Sequence, residues 1–126
     1  MRPSLLLAAA LPLALLASCQ PHADTPAPTP RPCYTGVVLG RTCPDGVLIE
    51  VDAATPIGRP VARLGNNVIG ALNARAIGSL GQVGQRLYFT CTRDTMYAES
   101  ACTANTIQAN IPHVLLPTFS STACPE

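Results

Sequence analysis

The chain has no lysine, no tryptophan and only five aromatic residues among 126: Tyr34, Tyr88, Phe89, Tyr97 and Phe119. Without lysine, arginine supplies every permanent side-chain cation, and eight of them against seven acidic residues leave a net charge of +1. That balance builds no basic face of the kind that holds nucleic acid. So few rings make no stacking platform for bases or sugars. No G-x-S-x-G nucleophile elbow occurs. No two cysteines stand at C-x₂-C spacing, which argues against a zinc site and against a thiol activated by a close partner. The longest apolar run, Leu5 to Ala17, is interrupted by Pro12 and is shorter than the roughly 20 residues a spanning helix needs.

What is present begins at that run. Arg2 supplies a positive start, leucine and alanine the apolar body, and Ala17-Ser18 the small residues before Cys19. This is the layout of a secretory signal. Leu16-Ala17-Ser18-Cys19 resembles the lipobox of bacterial lipoproteins. The resemblance implies cleavage between Ser18 and Cys19 and acylation of Cys19, which becomes the new N-terminus. Two or three acyl chains anchor where one binds only marginally, each buried CH₂ contributing about 0.8 kcal/mol. Residues 1–18 are then a signal peptide, and membrane lipid is a partner through Cys19. Gln20 stands where an aspartate would retain such a protein in the inner membrane, so the resemblance implies the outer membrane in a cell that has one.

Residues 19–32 follow as a tether. Pro21, Pro26, Pro28, Pro30 and Pro32 alternate with threonine, alanine and other small or polar residues. The stretch has no apolar mass for a core. Its geometry is polyproline II, at about 3.1 Å per residue, giving a semi-rigid spacer of roughly 40 Å at most. Residues 33–126 remain for one small domain, whose single core needs covalent help. Cys33, Cys43, Cys91, Cys102 and Cys124 are the disulfide candidates, an odd set that leaves one thiol over. Two schemes fit. One pairs Cys33–Cys43 and Cys91–Cys102; the other joins the domain ends, Cys33–Cys124, and again pairs Cys91–Cys102. The shared Cys91–Cys102 pair is favoured because the segment between looks like a hairpin.

The domain reads as β. Tyr34 to Leu39 is a strand ending at Gly40. Cys43-Pro44-Asp45-Gly46 is turn chemistry, and Val47, Ile49 and Val51 alternate with Leu48, Glu50 and Asp52. These two elements form an antiparallel hairpin. Ala53 to Gly65 is loop. Residues 66–75 fit either a strand or a short helix capped by Asn67. Gly78 to Gly84 is a turn into the clearest strand, Gln85 to Thr92, with Leu87, Phe89 and Cys91 on one face. Arg93 to Ser100 is loop, Cys102 to Ile111 the next strand, and Val114-Leu115-Leu116 a last short or edge strand between Pro112 and Pro117. The fold class is all-β: a small antiparallel five-stranded OB-like barrel or sandwich, stapled by disulfides. The order of a strand, Cys43-Pro44-Asp45-Gly46-Val47-Leu48-Ile49-Glu50-Val51, and Val83-Gly84-Gln85 entering Leu87-Tyr88-Phe89 resembles OB-type strand pairs over most of residues 34–116. The basic and aromatic residues of nucleic-acid-binding members are missing.

Candidate chemistry is sparse. His113, flanked by Pro112 and Val114, is the domain's only histidine; Ser100, Ser120 and Ser121 are the serines that could meet it. The first reading of His113 is an ordinary strand-end residue, and His22 lies in the tether. Glu50 and Asp52 share a strand face, the arrangement of a hydrolytic pair or a calcium site, but more simply a solvated face. Asp45 and Asn66-Asn67 read as turn residues. Gly81-x-x-Gly84 is a turn with no clear helix after it to receive phosphate. The sequence therefore points to a non-enzymatic envelope lipoprotein without cofactor or metal. Its β domain binds or scaffolds an envelope protein or small ligand, and Cys19 is the functional residue. The alternatives are an inhibitor of a secreted enzyme and a small hydrolase. Tyr88-Phe89-Thr90-Cys91 resembles the tyrosine–cysteine strand of small lipoproteins that inhibit lysozyme, with Arg93–Ser100 as the presenting loop.

Overall fold

Alternating branched apolar residues build the barrel. Val47, Ile49 and Val51 point inward from one strand and are almost wholly buried, as are Leu87 and Phe89 from another. The computed structural model describes residues 26–54, 56–94, 102 and 107–126. Its strands are β1 (Tyr34–Thr42), β2 (Gly46–Asp52), β3 (Arg59–Val61), β4 (Gly65–Ala71), β5 (Arg86–Arg93) and β6 (His113–Ser120). A single helical turn, α1 (Ala74–Ile77), and a 3₁₀ turn over Gly78–Gly81 lie between β4 and β5. The closed circuit runs β1–β2–β4–β6–β5 and back to β1, with β3 outside it against β4. All pairings are antiparallel except β4 with β6, where Gly70 meets His113 and Ala71 meets Val114 in parallel. This is a closed five-stranded OB-like barrel with one added strand.

The core lies on the barrel axis. Val38, Ile49, Ile69, Leu87, Phe89 and Leu116 fill it, and Ile77 from α1 closes one end. The first hairpin forms as expected, from Thr35 opposite Asp52 to Thr42 opposite Gly46. β1 continues past Gly40 because its register slips by one residue between Val38 and Gly40. A bulge of this kind bends a strand around a small barrel. Gly46 has φ +73°, and a Cβ there would lie 2.1 Å from the carbonyl oxygen of Ala71, so the turn requires glycine.

Several expectations are corrected. The ambiguous segment is a strand through Ala71, and only Ala74–Ile77 is helical. Asn67 does not cap it: its amide donates to the Val51 carbonyl at 2.8 Å and accepts the Gly58 N–H. The expected loop 53–65 holds β3. Cys102 and residues 107–110 are not strand, which removes the Cys102–Ile111 element over its described part. β6 is longer than the apolar triplet and is no edge, since both β5 and β4 flank it. Pro117 is accommodated because Leu116 and Pro117 together oppose Cys91, a bulge where a missing N–H breaks no ladder. At that bulge Asn73 replaces a strand neighbour. Its amide donates to the Leu116 carbonyl at 2.9 Å and accepts the Leu116 N–H at 3.0 Å.

Candidate functional site

The cysteine pairing differs from both expected schemes. Cys33 is bonded to Cys124, as one of them held, but the second bridge is Cys43–Cys102 and Cys91 is free. The Cys91–Cys102 and Cys33–Cys43 pairs are therefore overturned. Sequence proximity misled, because Cys91 sits in β5 and leans on the core, whereas Cys43 in the β1–β2 turn meets Cys102 in the β5–β6 connection. Burial pushes the Cys91 thiol above its ordinary value, with Arg93 opposing in part.

The Cys43–Cys102 bridge starts two residues before Asp45, on which several hydrogen bonds converge. The β1–β2 turn, the start of β6 and the segment 107–112 converge beside it. Asp45 is only 3% exposed. One of its carboxylate oxygens accepts from the Ala109 N–H at 3.0 Å and lies 2.8 Å from His113 Nε2. The other accepts from the Thr42 hydroxyl at 2.9 Å, and that hydroxyl oxygen accepts the Asp45 N–H in turn. His113 Nδ1 stands 3.5 Å from Gln108 Nε2, which can only donate. The Asp45 carboxylate accepts in this pair, with His113 Nε2 as its donor. The sequence expectation for His113, a strand-end residue, holds in position, but its partner is a buried carboxylate. Asp45 was read as a turn residue alone. Pro44-Asp45-Gly46 signalled the turn; nothing local signalled the histidine 68 residues away.

This pair is arranged as a clamp. In hydrolytic triads the aspartate orients one histidine nitrogen while the other faces a nucleophile. Here the other nitrogen faces the Gln108 amide. Ser120 contacts Thr122 instead, and Ser100 lies outside the described residues. Gly70 lies directly beneath the pair. A Cβ at Gly70 would come 2.5 Å from the Asp45 carbonyl oxygen and 3.0 Å from His113 Cδ2.

The clamp also covers a face. Leu48 and Val68 point away from the barrel axis on β2 and β4, the second and third strands of the closed circuit. That is the face on which OB-type barrels take oligonucleotides and sugars. Here it is closed by a second small core, in which Ile111 joins buried Leu48 and Val68, with Leu39, Val61 and Ala109 around them.

Glu50 and Asp52 share a face but not a task. Glu50 accepts the Asn66 N–H at 3.1 Å, and the space beside its carboxylate exists because residue 65 is glycine. Asp52 pairs with Arg86 on β5, an exposed ion pair that raises the arginine further above its ordinary value. Among the described residues no three His, Cys, Asp or Glu are grouped as a metal site would need. No described helix is long and apolar enough to cross a membrane. Cys19, His22 and residues 95–100 of the expected presenting loop lie outside the described residues. Missed by the sequence reading were Asn73, the Asp45–His113 pair and a cavity shared by Arg59 and Arg93. Comparison with protein-family models, curated proteins and solved structures finds no match.

Proposed function

We propose that the protein is a lipid-anchored component of a bacterial envelope whose barrel acts by binding or scaffolding, without catalysis. The observation that carries this reading is the order of parts: Leu16-Ala17-Ser18-Cys19, then a proline tether, then a covalently closed domain entrance. Residues 26–32 are exposed and without regular structure up to Cys33, where the bridge to Cys124 ties the start of β1 to the C-terminal tail. A pull on the tether is thus taken up by a disulfide rather than by the first strand. The inward use of Asp45 and His113 supports a non-enzymatic role, because their polar atoms are engaged with each other and with neighbouring loops.

Cys33 and Cys43 flank the two ends of the nine-residue β1, so the tether joins the barrel at the end of that strand remote from the Cys43–Cys102 bridge. Intact mass of the membrane-extracted protein tests the anchor. The expected species starts at Cys19 and carries lipid mass; a chain beginning elsewhere, or without added lipid, overturns it.

A further inference from the structure

A cavity of about 250 Å³ opens between β3 and the β5–β6 connection, and two arginines line it: Arg59 from β3 and Arg93, the last residue of β5. The Arg59 guanidinium is held by the Asn110 side-chain oxygen at 3.0 Å. Pro56, Pro112 and Ile111 also line it, and Ile111 is anchored in the small outer core. Among the described residues that line it none is acidic; Asp94 follows Arg93 in sequence but is not one of them. Two other arginines are committed elsewhere. Arg86 pairs with Asp52, and Arg41 donates to the carbonyls of Ala74 and Gly78.

Arg59 and Arg93 bring two positive charges to one concave, mostly polar space. An oxyanion bound there is attracted by both, and a guanidinium fork matches its oxygens in pairs. We propose that this cavity binds a phosphate group, the compact dianion whose charge matches two arginines, presented by a small phosphorylated ligand. This names a ligand class for the binding role proposed above and rests on that reading. The site lies beside the small outer core and shares Ile111 with it.

The test is a titration of the full mature chain with inorganic phosphate at constant ionic strength, followed through backbone amide resonances, with sulfate as a second arm. The expected result is a saturable shift centred on Gly58, Arg59, Arg93 and Asn110. Arg59→Gln and Arg93→Gln should each weaken it about tenfold, the usual loss for one charge-assisted pair, and Arg63→Gln should leave it unchanged. Asn110→Ala, which frees the Arg59 head without removing charge, should weaken it by less. Thermal unfolding of each variant confirms that it is folded. Saturable sulfate binding at the same amides supports a site that reads two negative charges. A linear, unsaturated shift overturns the proposal, as does an equal loss in Arg63→Gln. That failure would leave the lipid-anchored reading standing, since intact mass tests it separately.

Discussion

Asp45 and Cys91 show how a side chain's role depends on what burial brings to it. Asp45 holds four groups together: the Thr42 hydroxyl, its own turn, the Ala109 N–H and His113. Asp45→Ala strands donors in a nearly dry place, and the expected cost is about 2–4 kcal/mol, measured by denaturant unfolding. A loss below about 0.5 kcal/mol would show the clamp to be dispensable. Cys91 makes a prediction of opposite character. Burial raises its thiol, so the folded chain keeps a proton that the unfolded chain releases. Its contribution to stability is complete below the ordinary thiol range of about 8.5 and declines as pH rises through the raised native value. Unfolding midpoints measured upward from neutral pH should fall more steeply for the wild-type chain than for Cys91→Ala. Parallel curves would contradict the shift. Native alkylation of the same thiol should be slow until the protein unfolds.

Among elements, the β5–β6 connection carries the most consequence. It leaves the barrel after Arg93, is bonded at Cys102 to the β1–β2 turn, and returns over β2 and β4 as Ala109 and Ile111 before entering β6. The Cys43–Cys102 bridge spans a sequence separation of 59, for which loop-closure entropy implies about 4 kcal/mol of stabilisation. Cys43→Ala/Cys102→Ala should lose roughly that amount in denaturant unfolding. Amide exchange should speed up at Ala109 and Ile111 well before the barrel amides of Leu87 and Phe89. Uniform acceleration across the barrel would mean that the cover and the barrel open as one unit.

At the scale of the whole molecule, the described part of the proline stretch stands apart from the barrel. Residues 26–32 are exposed, and ordered structure begins at the Cys33–Cys124 bridge. A chain starting at Arg31 should therefore unfold within about 2 °C of the mature chain, because no buried surface or hydrogen-bonded backbone is removed. A larger drop, read by circular dichroism, would show that the tether packs on the domain. The anchored reading requires only that the tether reach the membrane while the barrel stands beyond it.

The sequence by itself determined the strand alternation of β2 and β5, the β1–β2 hairpin with its Asp45-Gly46 turn, the all-β class and the exposed proline stretch up to Cys33. Each of these depends on neighbours within a few residues: period-two burial, glycine at positive φ, or proline without apolar mass. Only the tertiary structure decided which cysteines pair, that Pro117 sits in a bulge inside the sheet, that Asn73 completes a ladder at Leu116, and that Asp45 meets His113. It alone placed Arg59 and Arg93 at one cavity. These contacts join residues tens of positions apart. They exist because barrel closure and the returning connection bring those residues together, and no local pattern records that closure.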